Sequence, residues 1–444
     1  MSDEDPKREC DSPQTSDHVV LLIVSSYAAA FIAFGFLVDS PEKIVRGMIN
    51  IVTTRDALLT DYFGVGGMGA AFVNAGFLAL CSSFIYYKSG AKLSGASVAC
   101  LCLVLGFGLF GKNIMNVWFI VIGVFLYSRF RQEPFATHIN TAFFGAALAP
   151  IFSEILFSTS LPIEVSLPLS VLTTLVIGFI LAPASAHLFK AHMGFSLYNM
   201  GFTAGIVGTL VVALYKSYGI VPEPVMIWTS GSNLLLSGFL YALFISMVAA
   251  GCYADKRVLS KLKQIMATSG QAPTDFISLV GFAPVLANMG LVGAIGTAYV
   301  LLVGGDLNGP VIGTIFTVVG FAAFGKHPKN IVPIMFGVFV GALAKPWSVS
   351  DPSVVLAALF GTTLAPIAGR FGWHWGIVAG FVHSSAALSM GHAHAAALNL
   401  YNNGFAAGIV AAVLVPVIIA LQSGRNRDGE STSPGPPKRS DAGS

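Results

Sequence analysis

The chain has 444 residues, of which 55% are hydrophobic and only 10% charged, and it carries a formal net charge of +3. So little polar surface does not cover a soluble globule of this size, which puts the sequence in the polytopic membrane class. The weak net charge gives no reason to expect nucleic acid as a partner. The five cysteines form no CxxC pair and no His/Cys zinc spacing, so they call for no metal or cofactor.

In chain order, residues 1–18 form a polar N-terminal tail, and the apolar run at 19–38 lacks a small-residue cleavage motif, so it reads as a retained span. Further apolar segments follow at about 64–87, 93–111, 113–130, 135–158, 166–189 and 193–215. Seven more lie at about 226–251, 276–303, 307–325, 328–345, 352–369, 372–390 and 394–421. A membrane helix needs about 20 apolar residues, so the expected fold is an all-α polytopic membrane protein. Residues 423–444, rich in Gly, Ser, Pro and charge, are expected to form a disordered tail.

The chain is an internal repeat, with membrane units at 19–217 and 218–422. "TDYFGVGG" from Thr60 matches "TDFISLVG" from Thr274, pairing Asp61 with Asp275, Asn74 with Asn288 and Gly76 with Gly290. At the same spacing "FGKN" from Phe110 meets "FGKH" from Phe324, pairing Lys112 with Lys326. "GAALAPI" at Gly145 matches "GTTLAPI" at Gly361, and "SLYNMGFTAGIVG" from Ser196 matches "NLYNNGFAAGIVA" from Asn399 at nine of thirteen positions. Seven segments per half, an odd number, invert the second copy relative to the first. With the N-terminus inside, that arrangement puts most of the 24 Lys and Arg on the cytoplasmic side. If segments 135–158 and 352–369 were re-entrant, the bias would nearly vanish, so charge favours inversion, with both termini cytoplasmic in a multi-pass cell-membrane protein. The connections "EKIVRGMINIVTT" and "KRVLSKLKQIMAT" read as helices lying in the interface plane, the second with Leu259, Leu262 and Met266 opposite Lys256, Lys261 and Lys263.

Breaks in membrane helices are tolerated where protein or a water-filled cavity surrounds them, and paired breaks in two repeats point to a solute pathway. Candidate breaks are Ala149-Pro150 and Ala365-Pro366, together with Asn74-Ala-Gly76 and Asn288-Met-Gly290. Tyr198, Asn199, Tyr401 and Asn402 add neutral groups that donate and accept hydrogen bonds. With Asn74 and Asn288 they form the expected midplane set for a small polar solute, although glycines and asparagines also serve helix packing. Lys112 and Lys326 are candidate coupling groups or snorkelling helix-end lysines. Asp61 and Asp275 are coupling carboxylates or, more simply, N-caps. His392 and His394 offer a weak relay or metal signal. Other carboxylates avoid the segment centres, Glu154 being the one doubtful case, which favours a facilitator over a coupled carrier. No hydrolase, Walker or metalloprotease motif occurs, and no enzyme is expected.

At "LYNMGFTAGIVG" and "LYNNGFAAGIVA", with "FGKN", "FGKH" and the repeated "LAPI", the chain resembles a prokaryotic membrane-protein family built from a duplicated domain of unknown function. A fainter, fold-level similarity is to the urea transporters, without their "NPLTG"-type pentapeptide. The sequence therefore leads to a permease or channel for a small polar solute between inverted repeats, in the lipid bilayer, alone or as a homo-oligomer. The alternatives are a proton- or cation-coupled secondary transporter and a non-transporting scaffold, sensor or enzyme.

Overall fold

A computed structural model describes residues 15–56, 59–158, 161–219, 226–394 and 401–431; the side chains of 158, 391–394, 401–402 and 424–431 lie outside the described set. The first half runs α1 (Asp17–Val38), α2 (Pro41–Thr53), β1 (Leu59–Thr60), α3 (Tyr62–Gly66), α4 (Met68–Ser89), α5 (Gly95–Phe107), α6 (Trp118–Phe130), α7 (Phe135–Gly145), α8 (Pro150–Ser158), α9 (Ile163–His192) and α10 (Asn199–Ser217). The second runs β2 (Met226–Ile227), α11 (Asn233–Ala254), α12 (Val258–Ala267), α13 (Phe276–Val280), α14 (Phe282–Leu302), α15 (Gly309–Phe321), α16 (Pro328–Leu343), α17 (Pro352–Gly361), α18 (Ala365–Phe371), α19 (Trp373–His394) and α20 (Tyr401–Ser431). Every helix thus has a counterpart ten helices later. The chain is all-α apart from the two-residue strands, which pair in parallel.

Packing repeats with the sequence. α1 lies on α4 as α11 lies on α14, and α6 on α9 as α16 on α19. Two contacts join a helix to its own counterpart, α5 to α15 and α10 to α20. Both are made through glycines that admit no side chain. A Cβ on Gly106 would stand 2.7 Å from the Gly313 carbonyl oxygen, and one on Gly320 2.9 Å from the Ala99 Cα. These positions exchange under the repeat, Gly106 with Gly320 and Ala99 with Gly313, so α5 and α15 are antiparallel and related by a pseudo-two-fold axis. On the second contact Gly201 meets Gly404, while Gly205 packs on Phe405 and Gly408 on Phe202.

Among the described residues nine helices are long and apolar enough to cross a membrane, including Phe135–Phe157 and Pro352–Phe371. Segments three and four of each half are shorter than the sequence suggests. α5, α6 and α15 have 13 residues and α16 has 16, or about 20 to 24 Å at 1.5 Å per residue, short of the roughly 30 Å hydrocarbon core. α5 and α15 are buried along their whole length, so their all-round apolar sequence faces protein.

The expected breaks divide into two kinds. Before Pro150 and Pro366 the helix tightens into three-residue 3-10 turns at Ala146–Leu148 and Thr362–Leu364, as a proline that cannot donate requires. Gly76 and Gly290 break nothing, and that expectation is corrected: α4 and α14 run through them unbroken. Their missing side chains allow close packing instead, since a Cβ would fall 2.5 Å from the carbonyl of Ala28 in one case and Phe244 in the other. The true interruptions are Gly67 and Gly281, with φ of 86° and 84°, which separate α3 from α4 and α13 from α14. In α12 the buried face is Val258, Leu262 and Ile265, leaving Leu259 outward, unlike the stripe read from the sequence. α20 continues through Ser431, because extending an existing helix fixes one residue per added bond; the rest of the expected disordered tail, 432–444, lies outside the described residues.

Candidate functional site

Asn74 and Asn288 sit at equivalent places on α4 and α14, fully buried. The Asn74 amide donates to the carbonyls of Gly108 (2.7 Å) and Lys112 (2.9 Å), and that of Asn288 to Ala322 (2.9 Å) and Lys326 (2.8 Å). Each therefore satisfies carbonyls left free where α5 or α15 ends and the chain turns through FGK. They hold that turn and do not line the cavity described below, so they leave the expected solute-facing set. Asn74→Leu and Asn288→Leu are each expected to lower stability by about 2 to 5 kcal/mol, the cost of two unsatisfied buried carbonyls, as read by thermal unfolding in detergent. A large effect from only one of the two would contradict their equivalent roles.

Asp61 and Asp275 are caps, as the simpler reading has it, but of the short helices α3 and α13. Asp61 accepts from the Phe63 N–H (3.0 Å) and Asp275 from that of Ile277 (2.9 Å). Each also reaches into the other repeat, Asp61 to the Gly309 N–H and Asp275 to the Gly95 N–H, both at 3.2 Å. These are the first residues of α15 and α5, so each cap holds the N-terminus of the opposing central helix.

Lys112 and Lys326 do not snorkel; they are 1% and 0% exposed. The Lys326 ammonium donates to the Tyr198 hydroxyl and to Thr362 Oγ1 (2.8 Å), and stands 4.3 Å from the centre of the Tyr198 ring. Lys112 stands 4.5 Å from the Phe107 ring centre and has no hydrogen bond among the described residues. The Tyr198 N–H is held by Thr363 Oγ1 at 2.8 Å. Asn199 ties the start of α10 to α9, donating to the Ser185 carbonyl (3.0 Å) and meeting His192 Nε2 (3.0 Å). The side chains of Tyr401, Asn402, His392 and His394 lie outside the described residues.

A cavity of about 260 Å³ opens among α5, α7, α9, α10, α15, α17 and α20. Its wall contains repeat-related pairs, Leu103 with Thr317, Phe107 with Phe321, Phe144 with Phe360 and Gly201 with Gly404, so both repeats contribute to it. Tyr198 and Asn199 contribute to the wall, with Asn140, Thr141 and Ser185 as further polar edges. The lining is more aromatic than the sequence led one to expect, because α5, α7, α9, α15 and α17 each turn a phenylalanine into it beside Tyr198.

A family model described as "Protein of unknown function (DUF1576)" matches residues 40–217 and again 254–420. The chain belongs to the DUF1576 family. Each matched stretch begins where the first helix of its repeat ends and runs through α10 in the first case and into α20 in the second. No curated protein and no solved structure matches.

Sequence reasoning missed a polar cluster present in the first repeat. Asp56, between α2 and β1, is fully buried against Asn113, Asn116 and Ser153, and its neighbour Arg55 forms a two-armed ion pair with Glu154, both arms 2.8 Å. The available signal was a difference between the copies. "TTRDALLTDY" carries Arg and Asp where "ATSGQAPTDF" carries Ser and Gly. Carboxylates are thus more deeply placed than the segment centres suggested.

Proposed function

We propose that this protein is a membrane permease or channel that passes a small solute through the cavity between two repeats of inverted topology. The cavity carries the reading, since it is a partly open space where central helices of both repeats converge. Its aromatic walls and few amide and hydroxyl edges suit a solute with an apolar body and one or two polar groups. Inversion is supported by the antiparallel contact of α5 with α15, because a two-fold that exchanges antiparallel helices is perpendicular to them. Parity supports it too. With α19 counted as a crossing like its counterpart α9, each half has five long helices; the short pairs α5–α6 and α15–α16 add two crossings or none, and either leaves an odd number per half. The positive-inside bias then puts both termini in the cytoplasm of a cell-membrane protein.

The test is flux in liposomes holding the purified protein, with a panel of neutral polar solutes, amines and carboxylates followed by light scattering. At least one class is expected to move, and Phe107→Trp and Phe321→Trp, which fill the cavity, are expected to slow it. No movement across the panel, or flux indifferent to both substitutions, would overturn the reading. Cysteine labelling that put the loop around Lys256 outside would overturn inversion.

A further inference from the structure

The carboxyl of Asp56 is unevenly satisfied. One oxygen, Oδ2, accepts from Asn113 Nδ2, Asn116 Nδ2 and Ser153 Oγ, each at 3.0 Å. The other, Oδ1, is buried and has no partner among the described residues. Such an atom carries a full desolvation cost unless something binds it. The two amides cannot turn to help. Asn113 Oδ1 is occupied by the N–H groups of Met115 (2.9 Å) and Asn116 (3.0 Å), and Asn116 Oδ1 by that of Asn113 (3.0 Å). Both NH₂ groups are therefore held towards Asp56, Asn113 also reaching the Ile51 carbonyl and the Tyr62 hydroxyl and Asn116 the Gly111 carbonyl and Ser153, and this ring of donors repels a metal ion. A proton fits.

The surrounding groups pull in both directions. The Tyr62 hydroxyl on α3, Ser153 and Asn116 favour the ionised carboxyl, while Glu154, ion-paired with Arg55, opposes it. Lys112, in the same turn as Asn113, lies over Phe107. Burial is the largest influence and pushes the Asp56 carboxyl up to about 7. In the second repeat Gly270 takes the place of Asp56, and a Cβ there would meet the Gly325 carbonyl oxygen at 2.0 Å, so that copy has no room for a side chain.

We infer that Asp56 is a proton-binding site of the first repeat, holding its proton on Oδ1 while buried and releasing it as the Asn113–Asn116 turn parts from α8 and admits water. The sign follows from linkage. A buried carboxyl that prefers to be neutral stabilises the closed arrangement at low pH and loses that contribution as pH rises through its folded value. The turn it holds continues from Lys112 and Phe107, and α8 follows the 3-10 turn containing Ala147; Phe107 and Ala147 both line the cavity. Proton release in the first repeat would thus loosen two parts of the cavity wall. That last step rests on the permease reading, but proton binding by Asp56 does not.

Neither of the following measurements needs a solute, so they stand if the permease reading fails. In pH-difference infrared spectra of the full chain in lipid nanodiscs, a protonated-carboxyl band is expected to disappear as pH rises through about 7. It should be missing in Asp56→Asn and displaced in Asp56→Glu. Hydrogen–deuterium exchange, corrected for the intrinsic pH dependence, is expected to be about tenfold or more faster in residues 113–117 and 150–157 at about pH 8.5 than at about pH 5.5. Asp56→Asn, whose carbonyl keeps the three donors, should stay protected at both, and the matching segment 327–331 should not respond. A band unchanged in Asp56→Asn, or exchange that is independent of pH in the wild type, overturns the proposal. If Asp56→Asn does not fold, the displaced or undisplaced band of Asp56→Glu decides.

Discussion

Lys112→Met is expected to raise the thermal unfolding midpoint while abolishing solute flux. The ammonium is buried, lies 4.5 Å from the Phe107 ring centre and has no hydrogen bond among the described residues. A cation–π contact returns about 2 kcal/mol when desolvated, whereas removing an ammonium from water costs several kcal/mol. Methionine fills a similar volume without that cost, so a gain of about 1 to 4 kcal/mol is expected. Lys326→Met should gain little, because Lys326 is already bonded to Tyr198 and Thr362, and its removal strands the Tyr198 hydroxyl. A residue that costs stability and is present in both repeats fits a role in function better than one in folding. Thermal unfolding in detergent beside liposome flux reads both halves of the prediction. A Lys112→Met protein that is more stable and still conducts would reduce the lysine to a packing remnant.

Gly404→Leu carries the largest expected loss of stability, about 3 kcal/mol or more. A Cβ at Gly404 would sit 2.8 Å from the Gly201 Cα, and one at Gly201 3.2 Å from the Gly404 Cα. Neither backbone can yield without lifting Phe405 from Gly205 and Phe202 from Gly408, so the whole α10–α20 contact must open. Gly238→Ala in α11 is the control. Nothing lies within 4 Å of a Cβ there, and a gain of about 0.5 to 1 kcal/mol is expected from helix propensity alone. Equal midpoints for the Gly404→Leu protein and the wild type would mean that α10 and α20 do not meet as described.

The glycines illustrate how much could be read in advance. The repeat was legible because "LYNMGFTAGIVG" and "LYNNGFAAGIVA" keep their glycines in register, and packing was an expected use of them. Which glycine breaks a helix was not legible. Gly76 and Gly67 are both glycines in apolar surroundings, and only the backbone distinguishes a positive φ at Gly67 from a close approach at Gly76. Tyr198 and Asn199 were singled out and do line the cavity. Asn74 and Asn288 were singled out with equal reason and instead hold the FGK turns. An amide in an apolar helix signals a buried polar partner, but not whether that partner is a solute or a carbonyl 34 to 38 residues away.

By itself the sequence determined the membrane class, the duplication, the proline-linked helix breaks and the capping aspartates, since hydropathy, repetition and local hydrogen bonding act within a few turns of chain. Only the tertiary structure decided which polar groups are buried and what meets them. Lys112 reads as a helix-end lysine until α5 is enclosed, and Asp56 as a loop residue until Asn113, Asn116 and Ser153, 57 to 97 residues away, close over it. The physical reason is that desolvation is a collective property. It depends on segments distant in sequence that exclude water together, and no local pattern in the chain records where they will meet.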